Sequence, residues 1–207
     1  MTEVQWSGHE LGAATRCDDN SEAIMTVAGW DEAFDASVPA INDDTIDHHC
    51  FGCGNQNPSG LRLRFRTMSD GGVWADFEPT RNHEGYMGMT HGGILSTVAD
   101  EAMSWAVTHA GDLGVTARMS LAFRRPVRLG QGIRVLAWVV SRKARAIDTR
   151  AELRDVETSE LLATAESRFM RVTPAQAAAW REAYGDQIDE SAFGAAARRN
   201  AGLNSVD

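Results

Sequence analysis

Two hydrophobic periods divide the chain, and the switch between them predicts its layout. Leu61-Arg62-Leu63-Arg64-Phe65-Arg66 alternates strictly, as a half-buried strand does with Leu61, Leu63 and Phe65 inward. Asp70-Gly71-Gly72 reads as a turn and Val73 to Glu78 alternates again, so a hairpin is expected. A glycine-rich loop, Pro79 to Thr90, then leads into a different period. At about 100° per residue, Ile94, Leu95, Val98, Ala99, Ala102, Met103, Trp105 and Ala106 share one broad apolar sector. That predicts a long helix ending near His109 to Gly111. Alternation returns with Met119, Leu121 and Phe123 on one face, and Pro126 ends or bends that strand. Ile133 to Val140 is apolar on both faces, as a central strand would be, and Ile147 to Asp155 and Leu161 to Val172 follow. Strand, strand, long helix and four strands predict an α+β protein, with one helix against a curled antiparallel sheet.

The flanks read differently. Residues 1–45 are rich in Asp, Glu, Ala, Ser and Thr with scattered apolar positions. They are expected to form an acidic, partly ordered extension, with a short helix around Ser21 to Val27 or Trp30 to Ala36. The main domain is expected over 46–173. Thr173 as N-cap and Pro174 at the first helical position start a helical appendage over 174–207, whose polar end should fray.

The polar side of the long helix carries the first chemical signal. It holds Ser96, Thr97, Asp100, Ser104 and Thr108, with Glu101 at its edge. A solvated helix face would carry long charged side chains, which are good helix formers. Small hydroxyls around one acid suit a face approached closely by a second helix or a ligand. Glu101 has no such context and reads as surface or rim. At the start of the helix, His91-Gly92-Gly93 offers free backbone N–H groups where the helix dipole favours negative charge. An acid on the same helix can supply a base or nucleophile, and the two together suggest acyl-group chemistry. Gly92 and Asp100 are eight residues apart, or about 12 Å along the axis. One carbonyl cannot touch both from a single helix at hydrogen-bond reach of about 3 Å. If both serve one substrate, they come from two antiparallel copies of the helix, so catalysis carries dimerisation with it.

Composition narrows the classes. With 207 residues, 43% hydrophobic and 24% charged, the chain suits one well-cored domain with extensions, or two very small ones. No apolar run approaches a membrane span, and Met1 to Asp19 lacks the basic and hydrophobic regions of a secretory signal, so a cytoplasmic location is expected. The net charge of −9 argues against nucleic acid or an anionic membrane as partner. Three cysteines give no disulfide framework. Cys50-x-x-Cys53 after His48 and His49 invites a zinc reading, but a ribbon or finger needs a second pair at defined spacing. A packed turn before the first strand is preferred, with no metal and no cofactor expected. A redox role lacks the thioredoxin-like strand–helix context.

Taken together, Cys50-Phe51-Gly52-Cys53-Gly54, Asn57-Pro58-Ser59-Gly60-Leu61, His83-Glu84-Gly85-Tyr86, His91-Gly92-Gly93 with Asp100-Glu101-Ala102-Met103, and Phe123-Arg124-Arg125-Pro126-Val127 resemble a known family. It is that of the hotdog-fold acyl-CoA thioesterases, in the phenylacetyl-CoA thioesterase-like branch of the 4-hydroxybenzoyl-CoA thioesterase superfamily. The likeness spans residues 48–173. It implies a curled antiparallel sheet wrapped around one central helix, an acyl-CoA substrate, and a homodimer or dimer-of-dimers tetramer whose sites combine two chains. By position, the Gly92 N–H would stabilise the thioester oxygen, and Asp100 of the other chain would be general base or nucleophile. Ser104 would bond the water or the carboxylate. His91 would orient the loop or contact the thioester, or simply cap the helix. Asn82, Gly85 and Gly93 would line the pocket, beside an adaptable Met87 and Met89 wall. Arg124, Arg125 and Arg128 would meet the CoA phosphates or form a solvated strand end. The competing class is a hotdog module that binds acyl-CoA without hydrolysing it. Hotdog hydratases use a His/Asp pair in a different helix-preceding motif that this chain lacks.

Overall fold

The computed structural model describes residues 34–42, 46–184 and 191–200. Its centre is one long helix, α1 (Gly92–His109), lying against a six-stranded antiparallel sheet. The strands are β1 (Arg66–Thr67), β2 (Val73–Phe77), β3 (Gly114–Phe123), β4 (Ile133–Arg142), β5 (Ala146–Asp155) and β6 (Leu161–Arg171). They are ordered β1-β2-β4-β5-β6-β3, so β3 lies at an edge. Two further helices, α2 (Pro174–Tyr184) and α3 (Ala192–Asn200), follow the sheet. This is the α+β hotdog layout.

Both ends of α1 are set by the residues that the sequence offers there. His91 is the N-cap, its Nδ1 accepting from Gly93 N–H at 2.8 Å. At the far end Gly111 takes φ +85°, which releases its N–H to Thr108 O and the Asp112 N–H to Val107 O. That pair of bonds closes the helix as glycine-terminated helices commonly do. Between the caps, Leu95, Val98, Ala99, Ala102, Met103, Ala106 and Val107 are buried against the inner face of the sheet. Ile133, Val135 and Ala137 of β4 and Ile147, Ala151 and Leu153 of β5 meet them.

β4 is apolar on both faces because both are covered. Its outward Leu136 joins Phe34 and Trp74 in a second cluster, so part of the 1–45 extension lies on the outer face of the sheet. Arg134 stands over the Phe34 and Trp74 rings at 4.6 and 4.7 Å and holds Asp76 with two bonds of 2.7 Å. Of the helices expected in the extension, Ser21 to Val27 lies outside the described residues; of Trp30 to Ala36, residues 34–36 carry no helix.

The first expected strand differs from its prediction in partner, not in facing. Leu61, Leu63 and Phe65 are all buried, but only Arg66–Thr67 pairs with β2. Upstream, Leu61 N–H and Leu63 N–H donate to Phe51 O and Gly52 O. Asn42 brackets the same segment, donating to Leu63 O at 2.8 Å and accepting from Phe65 N–H at 2.7 Å. This run is therefore threaded between a turn and an asparagine clamp. After the sheet, Thr173 and Gln176 cap α2 reciprocally, and α2 and α3 close over Leu113 and Val172. Among the described residues no helix is long and apolar enough to cross a membrane.

Candidate active site

The N-terminus of α1 leaves one donor open. Gly93 N–H is taken by the His91 ring, Ile94 and Leu95 N–H turn back to His91 O, and His91 N–H donates to His83 O. Among the described residues nothing accepts from Gly92 N–H. His91 thus caps the helix, and Gly93 is engaged by that cap. The Phe123 ring lies over Gly92, and a Cβ built there would stand 3.1 Å from it.

Two turns along, the Asp100 carboxylate accepts from Thr116 Oγ1 at 2.8 Å. Thr116 lies beside a bulge in β3, where Ala117 is skipped in the register between Thr116↔Phe169 and Arg118↔Arg168. Bulges re-aim side chains, and this one accompanies a hydroxyl turned onto the helix. Thr116 was missed in the sequence, because nothing in a strand pattern marks where a bulge falls. Ser104, the residue expected to hold the carboxylate, lies partly buried on α1. The other hydroxyls of this face are satisfied within the helix. Ser96 Oγ donates to Gly92 O, Thr97 Oγ1 to Gly93 O and Thr108 Oγ1 to Ser104 O. The face is therefore low, self-bonded and free of long side chains.

The loop before α1 is tied down. Gly85 N–H donates to Met89 O, Thr90 N–H to Val127 O and Leu129 N–H to Gly88 O. Gly85 packs tightly on the helix start, where a Cβ would stand 3.0 Å from His91 Cα. Asn82 sits exposed in the short Arg81–His83 turn, and Tyr86 and Met87 are almost fully exposed. The three arginines separate. Arg125 is paired with Glu160 at 2.8 Å, while Arg124 and Arg128 are exposed. Arg125 and Arg128 border a surface groove of about 530 Å³ that also carries Asp155, Glu157 and Glu160, so its charge is mixed.

Glu101 is partly buried against the Cys50–Gly54 turn rather than on the open surface, with Trp105 Nε1 donating to Oε1 at 3.1 Å. Burial, then the charge of Cys50, pushes its carboxyl up to about 7. A hydrogen bond from Cys53, working against burial and aided by the Cys53 and Gly52 N–H groups, holds Cys50 down at about 5. Cys53 is pushed up in turn. Tyr184 of α2 is close enough that, after burial, the charges of all three raise its phenol.

The site thus holds an open N–H at a glycine-led helix start and a carboxylate further along the helix, and comparisons with known proteins place the fold around it. Residues 87–162 match the family model of the thioesterase superfamily. Human acyl-coenzyme A thioesterase 13 is 27% identical over 104 residues, which cover 49% of this chain and 74% of that protein. A crystal structure of a thioesterase superfamily protein has a TM-score of 0.56 at 22% identity, over 69% of this chain and 75% of that one. The PaaI protein of the E. coli phenylacetic acid degradation operon has a TM-score of 0.51 at 20% identity, over 54% and 80% of the two chains; these two likenesses show the fold. Motif, fold and family match converge on a thioester hydrolase: residues 87–162 match the thioesterase superfamily, and the chain has the hotdog fold of such proteins.

Proposed function

We propose that the protein hydrolyses acyl-CoA thioesters to the free acid and CoA, at sites shared between two subunits. The observation that carries this reading is the pairing of an unclaimed Gly92 N–H with an Asp100 carboxylate two turns away on the same helix. The human acyl-coenzyme A thioesterase to which the chain is similar supports the substrate class. In this reading the thioester oxygen of one site binds Gly92 N–H, where the helix dipole adds to the donor, a contribution of about 3 kcal/mol to lowering the barrier. Asp100 of the facing helix, held by Thr116, deprotonates the attacking water or attacks the carbonyl itself. The tetrahedral intermediate then collapses with loss of CoA thiolate, giving the free acid directly when water is the nucleophile; when Asp100 is, the resulting acyl–aspartyl anhydride is hydrolysed by a water in a second step. Ser104 lies one turn further on the same face and would meet the attacking water. Asn82, Gly85 and Gly93 would border the acyl entrance, and Arg124 and Arg128 would be available to CoA phosphates.

The self-bonded hydroxyl face of α1 supports the dimer. So does β3, an edge strand that leaves Val115 and Phe123 half exposed. Two such edges meeting antiparallel would extend the sheet and set the two helices face to face. The test is thiol release from a panel of aromatic and fatty acyl-CoAs. Asp100→Asn is expected to lower kcat by about 10²- to 10⁴-fold, the worth of a positioned base, while acyl-CoA binding persists. Full activity in Asp100→Asn would refute the mechanism. Binding without thiol release by the unaltered chain would leave a non-catalytic module.

A further inference from the structure

The Cys50–Glu101 cluster has no part in the hydrolysis proposed above, and its geometry is that of a ligand set. Cys50 and Cys53 end a tight Cys-Phe-Gly-Cys-Gly turn, closed by Gly54 N–H on Cys50 O at 2.9 Å. The backbone N–H groups of Gly52 and Cys53 are directed at Cys50 Sγ. Gly54 is required by space, since a Cβ there would collide with the backbone of His48 and Cys50, and at Gly52 the Glu101 carboxylate occupies the place a Cβ would take. The turn is thus shaped to present two sulfurs together and to let α1 press a carboxylate against them.

Cys50 Sγ stands 3.7 and 3.6 Å from the two Glu101 oxygens, and the ligand atoms of Cys50, Cys53 and Glu101 all lie within 4.8 Å of one another. A tetrahedral zinc-type ion, with bonds of about 2.3 Å to sulfur and about 2.1 Å to oxygen, sets neighbouring S···O distances at about 3.6 Å. Trp105 Nε1 fixes the carboxylate from behind, as outer partners of metal ligands do. Among the described residues no basic side chain forms an ion pair with Glu101. Among the described residues three acidic groups therefore lie together without an ion pair, the Arg64 guanidinium beside them donating to Cys53 O, an arrangement that a cation relieves.

We propose that Cys50, Cys53 and Glu101 bind a thiophilic divalent cation of the zinc class, which pins the turn before the first strand to α1 beside Asp100. Two sulfurs select such an ion over magnesium or calcium, and one tetrahedral position is left for water. A disulfide between the two cysteines is the competing fate of the pair. It would make no use of the carboxylate seated on them.

The test uses the full chain with Cys17→Ser, reduced, stripped with a chelator, and titrated with Zn²⁺ or Co²⁺. Expected are one bound ion, a thiolate-to-cobalt charge-transfer band, and protection of Cys50 and Cys53 from alkylation by Zn²⁺. Glu101→Gln should weaken Zn²⁺ binding at least about 10-fold, and Cys50→Ser or Cys53→Ser at least about 100-fold. Alkylation at the same rate with and without Zn²⁺ overturns the proposal. So does Glu101→Gln binding as tightly as the unaltered chain, or a disulfide forming in a chain whose reduced state takes up no ion. The alkylation arm keeps all three ligands in place, so it decides the matter if Glu101→Gln does not fold.

Discussion

Asp100 and Glu101 are neighbours in sequence with opposite surroundings. About 100° of helix separates their side chains, and that angle sends one to the edge strand and the other under the cysteine turn. The small hydroxyls around Asp100 marked it in the sequence. Glu101 carried no mark, because Cys50, which it meets, lies 51 residues upstream and no local pattern encodes such a contact. Thr116 was unreadable for a related reason, since its aim accompanies a one-residue bulge. Its hydrogen bond to Asp100 is the most testable contact at this scale. Thr116→Val keeps the shape and removes the donor. A hydrogen bond to a charged group is worth about 1.5–3 kcal/mol, so kcat should fall about 10- to 100-fold with little change in melting temperature. Unchanged kcat would remove Thr116 from the site.

At the scale of elements, α1 and the long strands were legible because their periods are strong and their ends are punctuated. His91-Gly92-Gly93 and Gly111 bound the helix where glycine and cap chemistry require. The run from Leu61 to Phe65 was legible only by half. Alternation gave its buried face, while its backbone partners came from Asn42 and the Phe51–Gly52 turn. A polar residue in an acidic extension gives no sign of such a clamp. Asn42→Ala would leave the buried Phe65 N–H unpaired, while Leu63 O keeps the Arg64 guanidinium as donor. The expected loss is about 1–3 kcal/mol in chemical denaturation, without loss of the sheet. An unchanged unfolding midpoint would show that the clamp contributes nothing.

At the scale of the molecule, the spacing of Gly92 and Asp100 sets the architecture that the chemistry needs. The two groups cannot serve one carbonyl from one helix, so a single chain would hold two half-sites. The hydroxyl face of α1 and the open edge of β3 are where a second copy would complete them. Hybrid dimers test this most directly. Gly92 is the first residue of α1, where proline is tolerated, and His91 before it already has the extended backbone that proline favours. Gly92→Pro therefore deletes the proposed oxyanion donor within a helix whose backbone can accept the ring, the half-exposed Phe123 side chain giving way by a few tenths of an ångström, and Asp100→Asn deletes the carboxylate. Each variant alone should be nearly inactive. Unfolded and refolded together in equal amounts, half the dimers are hybrids, each with one site carrying both lesions and one carrying neither. Acyl-CoA hydrolysis should then return to about a quarter of that of the unaltered protein. No recovery in hybrids shown to form would mean that Gly92 and Asp100 act within one chain, and the shared site would be wrong.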